Sequence, residues 1–107
     1  MSFSFNIDSN CEKARAGTLL VDGNEISTPV FMPVATKSAV RTLSSSDLIE
    51  LNFDIILSNT YHLDIYSGSE HIQNMGGLHQ ATRWDGPMLT DSGGYQVFAM
   101  GCGSVSK

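Results

Sequence analysis

Three short apolar runs, each ending in polar residues and separated by helix-like stretches, constrain what this chain can fold into more than any other feature. The first, "TPVFMPVAT", holds Val30, Phe31, Met32 and Val34, bounded by Pro29 and interrupted by Pro33. A nearly continuous run of this kind suits a strand buried on both faces, and the second proline, lacking an N–H, leaves only part of it to pair regularly. "TLSSSDLIELN" then predicts a helix: Ser44 and Asp47 have the spacing of an N-cap pair, Leu43, Leu48 and Leu51 can share a face, and Asn52 can end it. In "FDIILSNTYHL" a buried strand is expected from about Ile55 to Leu57, with a polar end at Ser58, Asn59 and Thr60. "SGSEHIQNMGG" predicts a second helix, with Ser67 three residues ahead of Glu70, Ile72 and Met75 at helical spacing, and Gly76 and Gly77 as stop signals. "LHQATRWDG" has no period and reads as a loop, and "PMLTD" supplies the third strand.

Strand, helix, strand, helix, strand is the order of a parallel α/β structure, in which function collects beyond the carboxyl ends of the strands. Ahead of it, Phe3, Phe5 and Ile7 alternate with polar neighbours, and "TLLVDGNEIST" carries an Asp22-Gly23 hairpin signal. The expected organisation is one partial domain over residues 1–107, with a small antiparallel element at 1–29 and the first β/α units of a larger sheet at 30–107. Three units do not close an eight-stranded barrel. No helix is expected after the third strand before the "GCGSVSK" ending, so the chain reads as the N-terminal part of something larger.

Charge narrows the function classes. The net charge is −5, and the six basic residues, Lys13, Arg15, Lys37, Arg41, Arg83 and Lys107, are scattered. That distribution provides no electrostatic footprint for nucleic acid, so any phosphate-binding surface is expected on other chain. Cys11 and Cys102 are unclustered and read as free thiols in a reducing compartment. The opening "MSFSFNIDSN" has neither the pattern of a secretory signal nor that of a transit peptide, and no apolar run reaches the ~18 residues of a membrane helix. A cytoplasmic location is the expectation.

The chemistry concentrates at two strand ends, which point the same way in a parallel sheet: Ser58, Asn59, Thr60 and His62 after the second, Thr90, Asp91 and Ser92 after the third. In "LTDSGGYQVF" the Asp91 carboxylate faces a cleft, Gly93 and Gly94 remove the Cβ atoms that would keep a ligand from backbone N–H donors, and Tyr95 offers a flat face. A carboxylate accepts two hydrogen bonds side by side, which matches the ring N–H and exocyclic amine of guanine. Acceptor, amides and ring together describe a purine-like pocket. A plain turn opened by Asp91 and Ser92 is the other reading of the same residues. His62, His71 and His79 lack metal-ligand spacing, Trp84 reads as packing, Asn59 either orients Asp91 or the ligand or caps a loop, and Ser92-Gly93-Gly94 is not a phosphate loop, because no Lys follows and the wider glycine spacing is missing.

With those residues in place, the segment resembles the N-terminal part of tRNA-guanine transglycosylases, also called queuine tRNA-ribosyltransferases. The matching pieces, in order, are "TPVFMPVAT", "ILSNTYHL", "MGGLH", "WDGP" and "LTDSGGYQVF", from about Gly17 to Met100. The resemblance implies an incomplete TIM-type (β/α)8 barrel preceded by a small antiparallel β element. It implies exchange of guanine for queuine or a 7-deazaguanine precursor in a tRNA anticodon, with Asp91 as proton acceptor and base-recognising group. Ser92, Gly93, Gly94 and Tyr95 then line the base pocket with the aromatic stacked on the base, and Asn59 and Gln96 support it. It further implies a second Asp as covalent nucleophile, a zinc site of three cysteines and a histidine, and a tRNA-gripping basic surface, all downstream of this chain, in proteins that are often dimeric. The rival readings are a non-catalytic truncated or accessory segment, a different barrel enzyme using Asp91 on a small molecule, and the archaeosine-type transglycosylase.

Overall fold

The structure, a computed structural model, describes residues 2–35 and 41–101. Three strands, β1 (Phe3–Cys11), β2 (Ala14–Val21) and β3 (Asn24–Thr28), form an antiparallel sheet in sequential order. The Asp22-Gly23 signal is a true two-residue turn: φ is 45° at Asp22 and 83° at Gly23, and Val21 pairs with Asn24. Positive φ at both central positions gives the turn the twist of the strands it joins. Pairing sets Phe5 against Leu19 and Leu19 against Ile26, so the three share one face, and Ile26 is fully buried there. Gly17 lies under the Phe5 ring, where an added Cβ would sit 2.6 Å from both the ring edge and the Asn6 carbonyl oxygen.

A second, parallel sheet runs β4–β5–β6, from Val34–Ala35, Ile56–Ser58 and Met88–Thr90. Among the described residues the first apolar run yields two strand residues, since Pro29 and Pro33 donate nothing to a ladder; Pro33 instead accepts from the Leu57 N–H at 2.9 Å. The register pairs Ile56 with Met88 and Ser58 with Thr90, so the carboxyl ends of β5 and β6 lie side by side. Helix α1 (Ser45–Glu50) opens with the expected pair: Ser44 Oγ accepts from the Asp47 N–H at 3.1 Å, and Asp47 Oδ2 accepts from the Ser44 N–H at 2.7 Å. The Ser44 N–H first, and second the Ser44 hydroxyl, which also donates to Asp47 Oδ2 at 2.7 Å, hold the Asp47 carboxyl below its ordinary value of 3.8. Leu48 from α1 joins Ala35, Ile56 and Trp84 in the core, with Leu43, Phe53 and Met88 packed around them. Trp84 therefore packs, as expected, and its Nε1–H donates to the Pro87 carbonyl at 3.0 Å.

Four expectations are corrected. Leu51 does not share the buried face: it is 57% exposed, since it is the C-cap residue and the chain leaves the helix through Asn52 at φ 58°. Ser67 does not cap the second helix. A helix unforeseen in the sequence, α2 (Thr60–Tyr66), starts from Asn59 and ends at Ser67, and α3 (Ser69–Asn74) begins after Gly68 at φ 79° with no side-chain cap. The stretch read as a loop contains α4 (Leu78–Thr82), five residues long and too short to display a period. The third strand is followed by a helix, α5 (Gly94–Gly101), whose first turn sits in residues otherwise read as pocket. Cys102, read as a free thiol, lies outside the described residues, whereas Cys11 is free and exposed.

Candidate base-binding site

The two strand ends meet through Asp91. Beyond the last ladder residue of β6, the Asp91 N–H donates to the Ser58 carbonyl at 3.3 Å, which extends the β5–β6 pairing by one step. This brings the Asp91 carboxylate to the start of α2. Oδ2 accepts from Asn59 Nδ2 at 2.9 Å, and Oδ1 accepts from the Thr60 N–H at 2.9 Å. The Thr60 hydroxyl also donates to the main-chain carbonyl of Asp91. Asn59 is buried at 7% exposure and Asp91 is half-buried.

Asn59 does two things with one amide. Its Oδ1 accepts from the His62 N–H at 3.0 Å, capping α2, while its Nδ2 reaches Asp91. The first turn of a helix leaves N–H groups without intrahelical partners. Here Asn59 takes the one at His62, and Asp91 takes the one at Thr60. The two readings of Asn59 as cap and as orienting residue thus hold together. Thr60 was legible only as a polar strand end; the signal that marks it is its place directly after Asn59, at the first position of a helix the sequence did not reveal.

The remaining residues of the motif follow from the start of α5. Ser92 is exposed, and its Oγ accepts from the Gly94 N–H at 3.3 Å. Gly93 is buried at φ 64°, and an added Cβ would lie 3.0 Å from the Tyr61 backbone nitrogen and Cβ. The space freed at Gly93 is therefore occupied by α2. Gly94 is exposed, and an added Cβ there would meet only Ser92 Oγ, at 3.4 Å. Tyr95 is 81% exposed and Gln96 is half-buried.

A cavity of about 460 Å³ opens beside these residues, with an apolar wall from Leu63, Ile72 and Leu78 and polar groups from Thr60, Thr90 and Ser92. Asp91 does not line it; the residues on either side of Asp91 do. His62 packs its ring edge-on to Tyr61 at 5.6 Å and stacks near Tyr66 at 5.9 Å, and His79 Nε2 lies 3.0 Å from the Gly86 carbonyl oxygen. Among the described residues no group of three or more His, Cys, Asp or Glu side chains is placed to hold a metal ion, and no helix is long and apolar enough to cross a membrane.

Residues 9–107 match the family model described as queuine tRNA-ribosyltransferase. Among similar proteins, the queuine tRNA-ribosyltransferase of Fusobacterium nucleatum is 47% identical over 98 residues, covering 92% of this chain and 26% of that protein. The protein of the same name from Rickettsia prowazekii is also 47% identical, with 92% and 27% covered, and that from Prochlorococcus marinus is 48% identical over 101 residues, again with 92% and 27% covered. The chain spans about a quarter of the length of the curated relatives it matches.

Proposed function

The chain belongs to the queuine tRNA-ribosyltransferase family, and from that premise we propose that it carries the base-recognising part of a transglycosylase that exchanges guanine in a tRNA anticodon for queuine or a 7-deazaguanine precursor. The supporting observation is the Asp91 carboxylate, half-buried where two parallel strand ends meet, with each oxygen accepting one hydrogen bond from the protein. A carboxylate oxygen has two acceptor sites, so each retains one for the paired N–H edge of a guanine-like base. In this reading the exposed ring of Tyr95 supplies a stacking face, Ser92, Gly93 and Gly94 line the pocket ahead of it, and Asn59 and Gln96 support it.

In this reading the three parallel strands are the first of a (β/α)8 barrel, residues 30–107 are its opening units, and residues 1–29 are an antiparallel element ahead of it. Breaking a glycosidic bond leaves positive charge on the sugar and negative charge on the departing base. A carboxylate nucleophile takes the sugar carbon as the departing base gains a proton, and Asp91, which holds the base, accepts the proton that the incoming base loses when its nitrogen bonds to that carbon, dividing one hard step into two. That nucleophile, the zinc ligands and the basic tRNA surface belong to the longer protein. The described residues here do not fit a zinc ion, and no step in this chain runs through one. The setting is the cytoplasm, where members of this family are often dimeric.

The test is to join this chain to the downstream three-quarters of a close relative and follow labelled guanine into tRNA. Exchange by the joined protein is expected, with a fall of about 10²–10⁴-fold in Asp91→Asn, the range for a positioned proton-transfer group. The 107-residue chain alone is expected to incorporate none. Undiminished exchange by Asp91→Asn would remove the role assigned to Asp91.

A further inference from the structure

We propose that the apolar face of the antiparallel sheet is the contact through which this chain pairs with a second copy of itself, sheet packed against sheet. The proposal is independent of the base-pocket reading. Register across the sheet puts Phe3, Phe5 and Ile7 on one side with Leu19, Val21 and Ile26, and puts Ser4, Asn6, Thr18 and Glu25 on the other. That is the pattern of an antiparallel sheet with one covered face and one wetted face. Over β1 the apolar face stands open: Phe3 is 67% exposed, Phe5 41% and Ile7 54%, and β1, β2 and β3 pack chiefly on one another.

Shape, charge and size all fit a copy of the same face. Beside Phe5 lies a hollow of about 440 Å³ lined by Ala14, Arg15, Thr28 and Pro29, while Phe3 and Ile7 are the more exposed side chains of the strand. A twofold axis turns the exposed side chains of each copy toward the hollow of the other, and a contact of this kind closes at two. The acidic residues of these strands lie on the far side: Asp8 Oδ2 accepts from Thr18 Oγ1 at 2.7 Å, and Glu25 alternates with the buried Ile26. In a chain of net charge −5, two such faces therefore meet without opposing carboxylates. Arg15, exposed, holds its guanidinium carbon 6.0 Å from the centroid of the Phe5 ring, which places its charge at the rim of the face, in water. At ~150–250 Å² for a large side chain, the open parts of Phe3, Phe5 and Ile7 with the half-buried Leu19 and Val21 amount to roughly 400 Å² per copy. A standard stable complex covers about 800 Å² per partner. The pair is accordingly a weak one that forms and parts with concentration.

The test is sedimentation velocity of the chain as it stands, over a dilution series. The unsubstituted chain is expected to dimerise with a dissociation constant of about 10–100 µM, the weak end that suits an interface of this size. Ile7→Lys puts a charge on the face at a side chain already more than half exposed, and is expected to raise that constant at least about tenfold. Ser4→Lys makes the same change of charge on the same strand, toward the other side, and is expected to leave it unchanged. A monomeric unsubstituted chain overturns the proposal. So do equal losses in the two variants, which point to pairing along the β1 edge, and so does assembly beyond two copies. If the unsubstituted chain is monomeric while Ile7→Lys unfolds the protein made by joining it to the downstream part of a relative, the face belongs to that downstream chain instead. Should Ile7→Lys fail to fold, isotope-filtered NOEs in an equal mixture of labelled and unlabelled unsubstituted chain decide. Contacts between the Ile7 methyls of one copy and Phe5 or Leu19 of the other uphold the proposal, and their absence overturns it.

Discussion

Asn59 and Asp91 are joined by a 2.9 Å hydrogen bond from amide to carboxylate, and the same Asn59 caps the helix that supplies the second donor to that carboxylate. Removing the amide therefore loosens a helix and a charged group together. Asn59→Ala is expected to destabilise the chain by about 2–4 kcal/mol, the sum of a lost cap and a lost bond to a charged group. Urea unfolding monitored by circular dichroism checks it. An unchanged midpoint would show that neither contact contributes.

Gly93 separates two uses of a glycine. Its φ of 64° and the 3.0 Å gap to the Tyr61 backbone nitrogen mean that a methyl group there strains the chain and presses on α2. Gly93→Ala is expected to lower stability by about 1–2 kcal/mol. Gly94→Ala, where the nearest atom is 3.4 Å away, is expected to leave the unfolding midpoint nearly unchanged. Equal losses in the two variants would contradict this division.

Asp47 makes part of the stability depend on pH. Its folded carboxyl is held below the ordinary 3.8 by the Ser44 N–H and hydroxyl. A group whose folded value lies below its unfolded value stabilises the fold above the unfolded value, and that contribution is lost as pH falls through the folded one. Urea midpoints of the parent and of Asp47→Asn should thus differ at neutral pH and converge well below 3.8. A constant difference across that window would mean that the capping pair is not the cause.

Trp84 is 3% exposed and stands in the core beside Leu48 and Ile56, with its indole N–H satisfied by Pro87. Trp84→Ala is expected to cost about 3–5 kcal/mol, the range for emptying an aromatic site in a packed interior. In a core this small the variant should lose its near-ultraviolet dichroism. A cooperative transition retained at the parent midpoint would show that the core does not depend on the indole.

The hairpin, the parallel strand order and the Ser44–Asp47 box were legible because each rests on local chemistry: positive φ at Asp22-Gly23, apolar runs too short for helices, and a hydroxyl three residues from a carboxylate. Helix α2 was not, because Asn59 and Thr60 read as the frayed end of a strand until their partner, 32 and 31 residues away, is in place. Helix α4 was hidden by its five residues and by the glycines before it, Gly76 and Gly77, at φ 96° and 103°. At the site, the sequence read Asn59 and Asp91 as facing strand ends, which a hydrogen bond joins, and read Gly93 as space beside a ligand, where an added Cβ would meet Tyr61. Nothing in residue order announces that exchange, since it depends on how closely two helices start beside each other.

The span of 32 residues between Asn59 and Asp91 also fixes when the acid is set during folding. Loop closure over that distance precedes any contact between them, so the amide waits for its carboxylate until β5 and β6 have found each other. On a ribosome, the upstream donors emerge first and idle in water. The Asn59–Asp91 contact is thus a late event in this segment's own biogenesis, and a delay in strand pairing is a delay in placing the carboxylate.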